Sequence, residues 1–381
     1  LTTCPVFGVH LKYRPIDRTV RMFYYLADMR SKPRRDATDA AGAVPLPMHE
    51  HDRSDPGCDN GAGMVNVIRV ERKSSVLTPS SLACLSRMPT INLTAGCAVG
   101  CAYCYTVGYS SHPGEGKVAY YGNTLEKLKR ELGGKRRLPN AVFFSPASDL
   151  FQPVQQVLEL GHQVLEFLLS KEIGVVFLTK GRIPEDTLGL ILRHPDQVRA
   201  QIGITTLDEG IAGNFEPNAA TPTKRLEQLA ALIDGGVPSQ ARLDPILPGL
   251  TDSTDGLMGL FEALAKAGVT RAAAGLLFLR PRILGFLKRN VQDKDMLEKT
   301  LGFYGDTSRL AIRAENYSSI GVLPQATRTE IFARIQEAAE KSEIRLSVCA
   351  CKNPDIASGT CGIGGAWPRL PRHEAQPLLF A

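Results

Sequence analysis

Cys97, Cys101 and Cys104 stand at a Cys-x3-Cys-x2-Cys spacing within the segment INLTAGCAVGCAYCYTVGYS (91–110). Thiolates are the soft ligands that iron–sulfur clusters and zinc select. Three neighbouring thiolates on a [4Fe-4S] cubane leave one iron without a protein ligand, open to nitrogen and oxygen donors of a small molecule. Gly96 and Gly100 allow the chain to turn tightly around such a group. Tyr103, between the second and third cysteines, offers an aromatic face beside it. Zinc is the alternative reading. Its sites usually combine paired Cys-x2-Cys knuckles with a fourth Cys or His, and the C-terminal cysteines are the available partners.

A second thiol group lies in VCACKNPDIASGTCGIGG (348–365). Cys349 and Cys351 alternate on a short apolar run, and Cys361 follows in a Gly-rich stretch. Three readings stand open for them: an auxiliary iron–sulfur cluster or zinc, a reactive thiol, or buried inert thiols. The remaining cysteines, Cys4, Cys58 and Cys84, read as ordinary thiols. His49 and His51 with Cys58 form at most a weak metal motif. Nine cysteines, an odd number, and no apolar leader within the first residues LTTCPVFGVHLKYRP argue against a disulfide framework. Six of the nine in two tight groups point to metal ligation in the cytoplasm or another reducing compartment. The first residue is Leu1, which leaves a targeting segment outside this sequence open.

These groups need a scaffold. From Thr90 onward short apolar runs alternate with amphipathic stretches. The strand candidates are TINLT (90–94), AVFFS (141–145), GVVFLTK (174–180), AQIGITT (200–206), QARLDPI (240–246) and AAAGLLFL (272–279). Between them lie helix candidates over 123–132, 154–170, 184–194, 221–235 and 251–268, with a further helix over 327–342. Alternation at this spacing predicts an α/β fold with a parallel sheet, as a partial (β/α)6 barrel. Chemistry in such barrels gathers at the C-terminal ends of the strands. The division expected is an irregular N-terminal extension over 1–85, the barrel over 86–305, and a C-terminal helical and Cys/Gly-rich region over 306–381. No run of 18 apolar residues predicts a membrane span. A net charge of +6 suits either a basic surface or attraction to a polyanion such as nucleic acid.

The cysteine triplet, with an aromatic residue before its last member, resembles the signature of the radical S-adenosylmethionine (SAM) superfamily. More narrowly, the chain is similar to the spore photoproduct lyase-like ("DNA repair photolyase") group. FFSPASDLFQP (143–153), VFLTKG (176–181), IGITTLDE (202–209), FEPNAATPTKRLEQL (215–229) and RLDPILPGLTD (242–252) carry that likeness. The resemblance implies a [4Fe-4S] cluster on Cys97, Cys101 and Cys104. It implies reductive cleavage of SAM to a 5′-deoxyadenosyl radical, which takes hydrogen from a substrate, and a low-potential electron donor of flavodoxin or ferredoxin type. It also implies SAM contacts: Tyr103 to the adenine, Ser148 and Asp149 to the amino group or ribose, Lys180 to the carboxylate, and Thr205 with Thr206 through their hydroxyls. Arg242 is expected to face SAM or a substrate acid group. Glu216 with Pro217 either holds loop geometry or orders an arginine. In spore photoproduct lyase a hydrogen-donor cysteine lies two residues before the Ser-Asp pair. Pro146 occupies that position here and has no thiol to offer, so the resemblance implies a related enzyme with another substrate.

Overall fold

The computed structural model describes residues 65–80, 85, 88–312 and 318–362. Cys4, His49, His51, Cys58 and Cys84 lie outside the described residues. Strands and helices alternate along the chain: β1 (Asn66–Val70), β2 (Thr90–Ile91), β3 (Thr94–Ala95), β4 (Lys117–Tyr121), α1 (Thr124–Gly133), β5 (Ala141–Phe144), α2 (Gln155–Ser170), β6 (Gly174–Thr179) and α3 (Glu185–Leu192). They continue with β7 (Val198–Gly203), α4 (Glu209–Phe215), α5 (Pro222–Asp234), β8 (Ser239–Ile246), α6 (Thr254–Lys266), β9 (Arg271–Leu276), α7 (Pro281–Asn290), α8 (Lys294–Gly302), β10 (Ser308–Ile312), β11 (Ser318–Val322), α9 (Gln325–Lys341) and β12 (Arg345–Val348).

Among the described residues the main sheet has seven strands in the order β12-β9-β8-β7-β6-β5-β2, and every pair in it is parallel. Five of the six expected strands are present, and the sixth, TINLT (90–94), is split between β2 of this sheet and β3, which pairs antiparallel with β4. The seventh, β12, comes from the short apolar segment before the tail cysteines. It pairs Leu346 with Ala272 and Val348 with Ala274, so the C-terminal region completes the sheet.

Alternation along each strand builds two cores, because successive side chains leave opposite faces. Val142 and Phe144 of β5, Val175 and Phe177 of β6, and Ala272 and Ala274 of β9 join the large core under the helices. Ala141 and Phe143, Val176, and Ala273 face the other way. They form a smaller core in the barrel lumen with Leu85, Met88, Cys349 and Cys361.

The helices start where capping chemistry allows. Asp208, Thr221, Ser253 and Asp293 each accept a backbone N–H of the first turn of α4, α5, α6 and α8. Expected irregularity over 1–85 is corrected at its C-terminal end. NVIRV forms β1, which runs parallel to β4 from Asn66↔Lys117 to Val70↔Tyr121. A five-residue edge strand whose partner lies some fifty residues on leaves little local signal. The hairpin β10–β11 and helices α4, α7 and α8 were likewise not anticipated.

Candidate cofactor site at the C-terminal ends of the strands

The loop carrying Cys97, Cys101 and Cys104 follows β3 and sits over the C-terminal ends of the parallel strands. Gly96 starts it at φ +81°, and a Cβ there would meet the Lys117 carbonyl oxygen at 2.5 Å. The loop is held by backbone and side-chain bonds from three directions. Gln152 Oε1 accepts the Ala98 N–H at 2.8 Å, while Gln152 Nε2 donates to Thr94 Oγ1 at 3.1 Å. The Ala102 N–H donates to the Phe215 carbonyl at 2.8 Å, and Asn218 Nδ2 donates to the Ala98 carbonyl at 2.9 Å. Tyr105, on the 3-10 turn that follows, donates its hydroxyl to the Pro146 carbonyl. The FEPN segment (215–218) is thus the platform on which the cysteine loop rests.

All three loop cysteines are free and part-buried. Burial raises the thiols of Cys97 and Cys101 well above the ordinary range; Asp149 adds to the effect at Cys97 and Glu216 at Cys101. Such thiols become thiolates only with a strong cation beside them, which is what a metal cluster supplies. Among the described residues no three His, Cys, Asp or Glu side chains stand in single-ion geometry. An iron–sulfur cubane, which spreads its ligands over separate irons, suits the loop better than a lone zinc.

Glu216 is the electrostatic centre beneath the loop. Its Oε1 accepts from Lys180 Nζ at 2.9 Å and from the Tyr103 hydroxyl. Arg225 NH1 faces Oε2 as an ion pair at 2.5 Å while donating to the Gly203 carbonyl at 2.8 Å. Burial alone would raise the Glu216 carboxyl. Lys180 and Arg225 outweigh it and hold the carboxyl at about 2. Gly203 makes this approach possible, since a Cβ there would meet Lys180 Cγ at 2.8 Å.

The expected SAM contacts divide accordingly. Tyr103 is buried, with its hydroxyl on Glu216, and Lys180 Nζ lies 5.7 Å over its ring. Asp149 is fully engaged inside the protein. Its Oδ1 accepts from Thr179 Oγ1 at 2.6 Å and the Phe151 N–H at 2.8 Å, and its Oδ2 accepts the Lys180 N–H at 2.8 Å. It therefore fixes the ends of β5 and β6. Ser148 Oγ and Ser145 Oγ are buried with no hydrogen-bond partner among the described residues. Ser145 also has φ 51°, a conformation that favours glycine and that clusters at functional sites. Two orphaned hydroxyls at the end of β5 are what a polar ligand would satisfy. Thr205 is buried at the end of β7, and Thr206 Oγ1 accepts the Asp208 N–H at 3.0 Å.

Arg242 is held by an ion-pair network of its own. Its Nε and NH2 donate to Asp244 Oδ2 at 3.2 and 2.7 Å, and Lys352 Nζ donates to both Asp244 oxygens at 2.7 and 2.8 Å. Cys349 and Cys361 lie close enough to Arg242 to raise its affinity for the proton. Residues that sequence reasoning missed, Gln152, Asn218, Arg225 and Tyr105, all act on loop position. Gln152, Asn218 and Arg225 fall inside segments that carried the likeness, but their roles depend on partners 22 to 120 residues away.

Residues 91–261 match the family model described as "Radical SAM superfamily". A radical SAM Nα-GlyT isomerase of Pseudomonas phage M6 is 28% identical over 173 residues, 45% of this chain and 35% of that protein. An uncharacterised protein of Mycobacterium tuberculosis is 26% identical over 223 residues, 56% of this chain and 66% of that one. The chain thus spans about a third and just under two thirds of these two relatives. A structure of spore photoproduct lyase with bound AdoMet and dinucleoside spore photoproduct superposes with a TM-score of 0.55 at 16% identity, covering 74% of this chain and 81% of that chain. That family implies a [4Fe-4S] cluster and SAM, and both fit the part-buried loop thiols and the unpartnered Ser145 and Ser148 hydroxyls. With the cysteine loop, the parallel strands beneath it and these likenesses in agreement, residues 91–261 are a radical SAM domain by their family match, in a chain whose fold is that of spore photoproduct lyase.

Proposed function

We propose that this chain is an enzyme that reductively cleaves SAM and uses the 5′-deoxyadenosyl radical to take a hydrogen atom from an organic substrate. The observation that carries the reading is the loop of three free thiols docked on the FEPN platform over the strand ends, beside two orphaned serine hydroxyls. Cys97, Cys101 and Cys104 would hold the cluster, and the cluster with SAM supplies one-electron reduction and homolysis of a carbon–sulfur bond. The protein's own part is positional. Gln152 and Asn218 fix the loop backbone. Glu216 gathers Tyr103, Lys180 and Arg225, so the floor of the site is rigid and keeps one net positive charge. Ser148 and Ser145 offer hydroxyls to the cofactor's polar groups, and Thr205 a further one at the end of β7. Phe151 and Phe177, in edge-to-face contact at 5.2 Å, seal the region behind the strand ends from water. The electron comes from a low-potential donor of flavodoxin or ferredoxin type.

The test is anaerobic reconstitution with iron and sulfide, followed by dithionite and SAM. 5′-Deoxyadenosine forms with the parent chain and not with Cys97→Ala. Equal 5′-deoxyadenosine from both chains overturns the reading.

A second reading concerns the substrate: nucleic acid repair or modification. It is favoured by a cleft of about 710 Å³ beside the cysteine loop, where Tyr109 and His112 face Arg282, Phe286 and Arg289 of α7. Aromatic rings and guanidinium groups together suit stacked bases and phosphates. Among the described residues Glu115 is the one carboxylate lining it, ion-paired with Arg289. Arg282→Glu with Arg289→Glu should weaken binding of single-stranded DNA and flatten its salt dependence. Weak binding by the parent that ignores ionic strength rejects a nucleic acid substrate while leaving SAM cleavage intact.

A further inference from the structure

The tail thiols are not used by the site described above. Cys349 follows β12 and donates its N–H to the Ala274 carbonyl at 3.3 Å, which places it at the inner wall of the barrel. It bridges in parallel fashion to Gly359, and the Ala350 N–H donates to the Gly359 carbonyl at 3.1 Å. That pairing folds the chain back so that Cys361 returns to Cys349. The Cys361 carbonyl is fixed in turn by Gln201 Nε2 at 3.2 Å and Gln240 Nε2 at 2.5 Å. The outcome is a short array of cysteines: Cys349 and Cys361 are buried in one cluster, and Cys351 packs against it. All three are free; Cys349 and Cys361 are buried and Cys351 is part-exposed. Their apolar surroundings are Met88, Phe143, Val176 and Ala273 in the lumen.

Of the three readings open from sequence, inert core thiols fit this arrangement least. Inert core thiols would be scattered among apolar side chains, not drawn against one another by two anchored turns. Among the described residues no three such side chains stand in single-ion geometry, and an auxiliary cluster on the three is an outcome of the test below. Three free thiols gathered in one cluster can instead close a disulfide bond, whose sulfurs lie about 2.05 Å apart.

We propose that Cys349, Cys351 and Cys361 form a reversible thiol–disulfide relay in the barrel lumen, with Cys349 as the partner shared by both possible disulfides. The inference does not depend on SAM chemistry. The oxidant is a low-molecular-mass disulfide, RSSR. The exposed Cys351 thiol loses its proton to solvent and attacks one sulfur of RSSR; the Cys351–SR bond forms, the RS–SR bond breaks, and one RS⁻ leaves. Cys349, deprotonated in turn, attacks the Cys351 sulfur and expels the second RS⁻, giving Cys349–Cys351. Cys361 then attacks Cys349 and releases Cys351 as a thiol, giving Cys349–Cys361. In all, two protein thiols are oxidised and one small disulfide is reduced to two thiols. The final bond ties the end of β12 to the turn at Thr360–Gly362.

The test uses the full chain with its loop cluster reconstituted. It is equilibrated anaerobically with glutathione and glutathione disulfide at a series of ratios, acid-quenched, alkylated and digested with trypsin. Cleavage after Lys352 puts Cys349 and Cys351 on one peptide and Cys361 on another. A Cys349–Cys361 disulfide therefore appears as two cross-linked peptides, and Cys349–Cys351 as one peptide lacking both labels. The expected result is a cross-link that follows the ratio and reverses on reduction. Cys361→Ser should shift the disulfide to Cys349–Cys351, Cys351→Ser should leave Cys349–Cys361, and Cys349→Ser should lower both at least tenfold. Full alkylation of all three thiols at every ratio overturns the relay. So does a Cys351–Cys361 bond in the Cys349→Ser chain. Zinc, or iron and sulfide beyond the loop cluster, that disappears in any of the three variants identifies a metal site and equally overturns it.

Discussion

Replacing Glu216 tests whether one buried carboxylate holds the floor of the site. It is 4% exposed and Arg225 is 2% exposed, so solvent screens neither. Its carboxyl sits at about 2 against an ordinary 4.5, a difference that corresponds to about 3 kcal/mol at ~1.4 kcal/mol per pH unit. The sign follows from the direction. A carboxyl held lower in the folded state contributes its full stability above the unfolded value of 4.5 and loses it as pH falls toward 2. Glu216→Gln keeps the shape and should remove that contribution, with a loss of at most about 3 kcal/mol at neutral pH. Glu216→Ala strands two buried cations and should cost about 3–5 kcal/mol. Urea denaturation of the cluster-free chain measures both, and iron content after reconstitution shows whether the cysteine loop has lost its platform. The parent should lose stability between pH 4.5 and 2 more steeply than Glu216→Gln. Parallel pH profiles, or a Glu216→Ala chain within about 0.5 kcal/mol of the parent, the scatter of ordinary surface changes, would refute the reasoning.

Three further outcomes are expected. Gly96→Ala forces a side chain into a left-handed position against the Lys117 carbonyl at 2.5 Å; it should lower stability by about 1–3 kcal/mol and reduce iron uptake, read by denaturation and metal analysis. Ser148→Ala removes a hydroxyl that has no hydrogen-bond partner among the described residues, so stability should stay within about 0.5 kcal/mol while SAM affinity, by calorimetry on the reconstituted chain, falls several-fold. Arg328 is buried and grips Asp355 through NH1 at 3.0 Å and NH2 at 2.5 Å, with Nε on the Leu323 carbonyl at 2.9 Å. Arg328→Ala should cost about 3 kcal/mol or more and raise protease cleavage within 349–362.

The barrel was legible because its signals are local. β5, β6 and β9 carry apolar runs of strand length, and the helices between the strands repeat apolar residues at helical spacing. The three loop cysteines were legible because soft ligands at close spacing have few other uses. Partnership was not legible. Lys180 and Tyr103 read as cofactor contacts because each stands where a ligand would lie, yet Glu216, 36 and 113 residues away, takes both. Arg242 was expected to face SAM or a substrate acid group; Asp244, two residues on, accepts from it and from Lys352 far along the chain. β12 was read only as a short apolar segment, since four residues carry too little pattern to declare a strand whose partner, β9, lies some seventy residues earlier.

The position of β12 also orders the birth of the molecule. The strands from β2 to β9 are made in sequence, each beside the one before, so the sheet grows outward as the chain is synthesised. β9 then waits, its Ala-rich edge carrying unpaired backbone donors and acceptors, until some seventy more residues have been added. During that interval the edge is a template for any extended chain nearby. The cysteine loop, by contrast, has its platform as soon as α4 has formed. A nascent chain could therefore present its metal-binding thiols well before its barrel wall is closed, and premature termination ahead of Arg345 would leave a protein with a loaded site and an adhesive flank.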